Sequence, residues 1–152
     1  MPTRREMLQR SAAVAGLLGG LGLLPAPAQA AWSAAAFEAD GLPALARLLG
    51  WSAPVESREL QLQGPDLAES GAAVALSCRA HLPGVARLML LVEKNPTKLC
   101  AIAELSDAVE PALATRVKMA QSSDVLAVAV LADGRVLYAR KGIQVTIGSC
   151  GA

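Results

Sequence analysis

The hydrophobic period of this chain changes once, at Gly50, and that change constrains the fold more than any other feature. Before it, residues 33–49 are rich in alanine and leucine, with Phe37, Leu42, Leu45, Leu48 and Leu49 near helical spacing. Gly41 followed by Leu42-Pro43 interrupts the pattern, so two short helices are expected, the second with Pro43 in its first turn and Gly50 past its end. After Gly50 the period is two. Alternating or apolar runs occupy residues 58–62, 72–80, 85–93, 99–105, 114–120, 125–131, 135–140 and 143–147. Gly64-Pro65-Asp66, Leu82-Pro83-Gly84, Asn95-Pro96, Glu110-Pro111 and Asp133-Gly134 supply turns between them. Asp133-Gly134 predicts a type I′ hairpin, in which both central residues need positive φ. Seven or eight short strands with little helical period between them predict a mainly β fold, an antiparallel sandwich behind short N-terminal helices.

Part of the 53% hydrophobic content lies outside that body. Residues 1–30 run from Arg4, Arg5 and Arg10 through an Ala, Leu and Gly stretch to Pro25-Ala26-Pro27-Ala28-Gln29-Ala30, the layout of an export signal cleaved after Ala30. Gly16, Gly19, Gly20 and Gly22 interrupt a stretch already short of the roughly 20 apolar residues of a spanning helix, so no membrane anchor is expected. Thr3-Arg4-Arg5-Glu6-Met7-Leu8 resembles the twin-arginine export motif of bacteria, which implies a periplasmic protein that crosses the membrane already folded. The expected organisation is a signal peptide over 1–30, a helical lead-in and sandwich over 31–147, and a flexible arm over 148–152. A chain of 152 residues has room for one such domain. Its net charge of +1 falls to about −1 without the leader's three arginines and Glu6, and no basic block remains to neutralise a run of phosphates, which argues against nucleic-acid binding. One histidine, His81, and three widely spaced cysteines make a metal site an unfavourable expectation.

The chain ends Gly148-Ser149-Cys150-Gly151-Ala152, after Ile143, Val145 and Ile147 alternate along a final strand. No later element can pack over Cys150, so its thiol is expected to be exposed. Its small neighbours give the backbone wide conformational freedom and little bulk, fitting it to enter a narrow cleft on another protein. Five residues from Gly148 reach at most about 17 Å, the geometry of a swinging carrier arm. A free thiol with a pKa of about 8.5 is only a few per cent thiolate at neutral pH, and no Lys or His adjoins Cys150 in sequence, so activation is expected from a partner. Cys78 and Cys100 sit near the ends of predicted strands. They are either two small buried hydrophobes or a disulfide that leaves Cys150 as the lone thiol of an oxidising compartment.

That ending, together with Pro65-Asp66-Leu67-Ala68-Glu69-Ser70-Gly71, Leu91-Val92-Glu93-Lys94-Asn95-Pro96 and Thr115-Arg116-Val117-Lys118-Met119-Ala120-Gln121-Ser122-Ser123-Asp124-Val125, resembles the SoxY family of periplasmic sulfur carrier proteins. The resemblance implies an immunoglobulin-like sandwich and a heterodimer with SoxZ. It also implies that Cys150 carries thiosulfate-derived sulfur covalently and presents it to a haem enzyme that joins it to thiosulfate, a hydrolase that releases sulfate, and a sulfur dehydrogenase. A carrier of this kind is not an enzyme and needs no cofactor of its own. The family's ending is Gly-Gly-Cys-Gly-Gly, so Ser149 and Ala152 are departures. A positive φ at Ser149 would cost about 1 kcal/mol relative to glycine, slowing handover, or the two residues mark a different cargo. From another class, the competing expectation is an exported immunoglobulin-like binding module whose last cysteine merely dimerises it.

Arg116 and Lys118 alternate on one predicted strand face and Lys94 precedes Asn95-Pro96. These cations form either a solvated face or a docking patch, for partner enzymes or for an anionic adduct. His81 reads as a turn residue, and Glu38, Asp40, Glu104 and Asp107 as surface carboxylates. Residues 85–92 and 125–131 are almost continuously apolar, more than one face of a small sandwich needs, which predicts burial against another chain.

Overall fold

The computed structural model describes residues 3–10, 13 and 34–146. The chain divides into two units, Met1–Trp32 and Ser33–Ala152. In the first, residues 4–10 are helical, and a reciprocal capping box opens the helix: the Thr3 N–H donates to Glu6 Oε2 at 2.8 Å and the Glu6 N–H to Thr3 Oγ1 at 3.4 Å. No helix among the described residues is long and apolar enough to cross a membrane.

The second unit opens with α1 (Ala34–Glu38) and α2 (Leu42–Leu48). As the glycine and proline spacing predicts, α2 follows Gly41 at φ 89° and carries Pro43 in its first turn. It closes in a Schellman motif, with Gly50 at φ 66° donating to Arg47 O at 3.3 Å and Trp51 N–H to Ala46 O at 2.9 Å. Among the described residues nine strands follow: β1 (Val55–Glu56), β2 (Leu60–Gln63), β3 (Leu67–Ala68), β4 (Val74–Ala80), β5 (Val85–Val92), β6 (Leu99–Glu104), β7 (Ala112–Val117), β8 (Ser123–Leu131) and β9 (Val136–Val145).

One sheet has the order β1-β9-β8-β5-β6, with β3 also on β9, and the other the order β2-β4-β7. Leu60, Leu76, Cys78 and Val117 of the smaller sheet meet Leu88, Leu90, Val92, Val125, Ala127 and Ile143 of the larger one in a continuous core. This is an immunoglobulin-like sandwich. Most pairing is antiparallel, but β1 and β3 lie parallel to β9, pairing Val55 with Leu137 and Leu67 with Gln144.

Three expectations need correction. The strands expected at 135–140 and 143–147 are one strand, β9, because its pairing with β8 continues unbroken through Gly142, which lies opposite Asp124. The β8–β9 hairpin is not type I′. Only Gly134, at φ 91°, is left-handed there; the Gly134 N–H donates to Leu131 O at 3.0 Å and the Leu131 N–H to Arg135 O at 2.9 Å, a three-residue loop with glycine in the left-handed position. Asp133 instead accepts the Arg135 N–H at 3.0 Å. Lastly, the apolar excess of β5 and β8 is covered within the chain. Met89, Leu91, Leu126 and Val128 face away from the smaller sheet and are buried under Ala36, Leu42 and Leu45 of α1 and α2. The central strands β5 and β8 are therefore dry on both faces, which is why they read as unbroken hydrophobic runs.

Candidate functional site

The end of β9 is the last point at which the structure describes the chain before Cys150, and three loops close round it. The backbone of 66–69 runs alongside as β3: the Gln144 N–H donates to Asp66 O at 3.0 Å, the Thr146 N–H to Ala68 O at 3.1 Å, and the Thr146 hydroxyl to Glu69 O at 3.1 Å. Asp66 also takes a hydrogen bond from Lys141 Nζ of β9 at 2.6 Å, which with the ammonium's charge holds its carboxyl below the usual range. From the opposite side comes Ser122. Its Oγ accepts the Val145 N–H at 2.8 Å and its hydroxyl donates to Val145 O at 3.4 Å.

Gly71 is where the backbones come closest: a Cβ there would lie 2.0 Å from Met119 O and 3.2 Å from Val145 Cγ1, while the Met119 N–H donates to Gly71 O at 2.8 Å. Any side chain would push the 118–120 segment off the end of β9. Asn95 locks the third loop in place. Its Nδ2 donates to Lys118 O at 2.6 Å and its Oδ1 accepts the Ala120 N–H at 2.9 Å, so one amide serves as a neighbouring strand. The Lys94 N–H donates to Ser123 Oγ at 3.0 Å and Gln121 Nε2 to Lys94 O at 3.4 Å. A cleft of about 600 Å³ opens between these loops, lined by Leu67, Lys94, Ser122, Asp124 and Gln144 among others.

The three internal segments with family resemblance are therefore the loops that hold the base of the tail. Cys150 follows Thr146 by four residues, and with Gly148, Ser149, Gly151 and Ala152 it lies outside the described residues. Lys94, Arg116 and Lys118 are all exposed. Asn95 ties the segments bearing Lys94 and Lys118 together, and Arg116 lies two residues back along β7. None of the three appears in an ion pair among the described residues, unlike Lys98 with Asp40, Arg87 with Glu104 at 2.7 Å, or Lys141 with Asp66.

The disulfide considered for Cys78 and Cys100 is not formed, and both thiols are free. They stand on different sheets, Cys78 on β4 and Cys100 on β6, and each packs against the core. Burial pushes the Cys78 thiol up to about 11 and the Cys100 thiol upward too, against the Asn95 amide lying 3.8 Å from its Sγ. Both are small hydrophobes rather than nucleophiles. His81 is exposed just past β4, at the opposite end of that strand from Gly71. Glu38 and Asp107 are exposed, and Asp40 and Glu104 sit in the ion pairs above. No cluster of His, Cys, Asp and Glu that could hold a metal is found among the described residues.

Sequence reasoning missed Ser122, Thr146 and Gly71 as the residues that fix the end of β9. Only the glycine had a usable signal, a breaker between two strands, and nothing in the sequence says that its missing side chain faces Met119.

A mainly β sandwich behind two short helices, with three loops gripping the end of β9, defines a class: the immunoglobulin-like domains. Residues 45–150 match the sequence profile of the sulfur oxidation protein SoxY, and the chain belongs to that family. Among solved structures it is similar to the sulfur carrier protein SoxY from Chlorobium limicola f thiosulfatophilum, at 25% identity and a TM-score of 0.62, covering 69% of this chain and 94% of that one. A superoxide reductase (neelaredoxin) variant from Ignicoccus hospitalis shares the fold at 16% identity and a TM-score of 0.52, over 59% of this chain and 82% of that one. So does a putative superoxide reductase from Thermotoga maritima, at 12% identity and a TM-score of 0.50, over 64% of this chain and 96% of that one. No curated protein sequence shows significant similarity to the chain.

Proposed function

We propose that this chain is the sulfur carrier subunit of a thiosulfate-oxidising system, with Cys150 as the attachment point and 148–152 as the arm that presents it. The observation that carries this is the convergence of the three family segments on the base of the tail, where Ser122, Asn95 and Gly71 hold the strand that leads to Cys150. In the first step the thiol and thiosulfate join through a new S–S bond, losing one proton and passing two electrons to a partner haem enzyme. Water then cleaves the sulfonate end of Cys–S–S–SO₃⁻, giving Cys–S–S⁻, sulfate and two protons on a partner hydrolase, and a sulfur dehydrogenase oxidises the remaining sulfane. The carrier contributes the sulfur atom and its delivery, and the enzymes contribute the chemistry.

Lys94, Arg116 and Lys118 suit docking to such enzymes, or a charge-assisted contact with the anionic adduct. A SoxZ-like subunit is the expected partner in a heterodimer, and residues 1–30 are a twin-arginine signal that delivers the folded protein to the periplasm. Because the protein's own helices cover β5 and β8, those strands do not mark the SoxZ surface. The alternative, a binding module dimerised through Cys150, parts from this reading in cells: a Cys150→Ser strain stops converting thiosulfate to sulfate if the chain is the carrier, whereas undiminished sulfate production overturns that role.

A further inference from the structure

Building on the carrier reading, we propose that Ser122 is a positioning residue for the arm: its side chain pins Val145 and so fixes the point from which the segment bearing Cys150 departs. The backbone ladder between β8 and β9 ends at Ser123 and Ile143. Two residues further on, the Ser122 hydroxyl takes the place of a strand neighbour, bonding both the N–H and the C=O of Val145 at 2.8 and 3.4 Å. On the other edge the Thr146 N–H and hydroxyl are held by the carbonyls of Ala68 and Glu69. The strand end is thus gripped from both sides at the surface, where water would satisfy the same groups at little cost and where a chain end ordinarily frays.

A fixed departure point has a physical use. From Thr146 to Cys150 the chain spans at most about 14 Å, so pinning its base confines the thiol to a small volume and raises its concentration at a docked enzyme. Releasing Val145 leaves the strand end held along one edge only, by Ala68 and Glu69, so the departure point shifts and the thiol is spread over a larger volume. The intrinsic reactivity of the sulfur stays the same.

The test compares the wild-type chain with Ser122→Ala and Ser122→Thr, each expressed in cells given thiosulfate. Two readouts apply: hydrogen exchange at the amides of Val145 and Thr146 in the purified proteins, and the fraction of Cys150 bearing an adduct by intact mass at early times. The clamp predicts roughly five- to tenfold faster exchange at Val145 in Ser122→Ala, adduct formation slowed severalfold, and an unchanged rate with a small thiol reagent. Ser122→Thr, which keeps the hydroxyl, restores both. Unchanged exchange, or faster exchange with undiminished loading, overturns the clamp while leaving the carrier role standing. A wild-type chain that never acquires an adduct contradicts the carrier role itself, and this proposal with it.

Discussion

At the scale of single residues the three cysteines divide by environment. Cys78 is 3% exposed in the core and Cys100 is half-buried, and burial raises both thiols above their ordinary value. Under native conditions at pH 8, titration with a thiol reagent is expected to show one fast-reacting group, lost in Cys150→Ser, with the other two reacting appreciably only on unfolding. The sign of the linkage gives a second check on the same side chain. The Cys78 thiol moves from 9.0 to about 11 on folding, so the stability it contributes is intact below pH 9 and lost as pH rises towards 11. Cys78→Ala should flatten the alkaline fall in unfolding free energy. At this scale the sequence was legible where the environment is local, as with Cys78, for which a small buried hydrophobe in an apolar strand was one of two readings. It was not legible for Ser122 or Asn95, whose partners Val145 and Lys118 lie 23 residues away along the chain in each case.

Elements were legible in proportion to their length and regularity. α1, α2 and the longer strands β4, β5, β6 and β8 fall within a few residues of their expected positions, because Gly41, Gly50 and the proline turns bound them. β1 and β3, two residues each, were missed because a pair of residues has no period; they exist only as parallel partners along the free edge of β9. The short helices were expected, but their purpose was not. Leu45, fully buried in α2, packs with the Met89, Leu91 and Leu126 layer on the outer side of the larger sheet. Leu45→Ala is expected to cost about 2–5 kcal/mol of stability, as a large-to-small change in a dry layer does, measured by denaturant unfolding of 31–152. A cost within about 0.5 kcal/mol would mean that the helices do not seal that face in solution.

For the whole molecule, the fold alone does not decide what the chain does. The same sandwich topology serves superoxide reductases, which this chain resembles in shape, so function is carried by what is attached to the scaffold. Here side-chain hydrogen bonds from Ser122 and Asn95 hold the end of the strand that leads to Cys150, while Lys94, Arg116 and Lys118 stay exposed nearby. That arrangement suits a protein whose work is delivery. The most direct measurement is the mass of the C-terminal peptide of this chain, isolated without reductant from cells oxidising thiosulfate. A sulfane or thiosulfonate adduct on Cys150, removed by reduction, is the predicted result; a peptide found only as free thiol or as a Cys150–Cys150 dimer contradicts the carrier account.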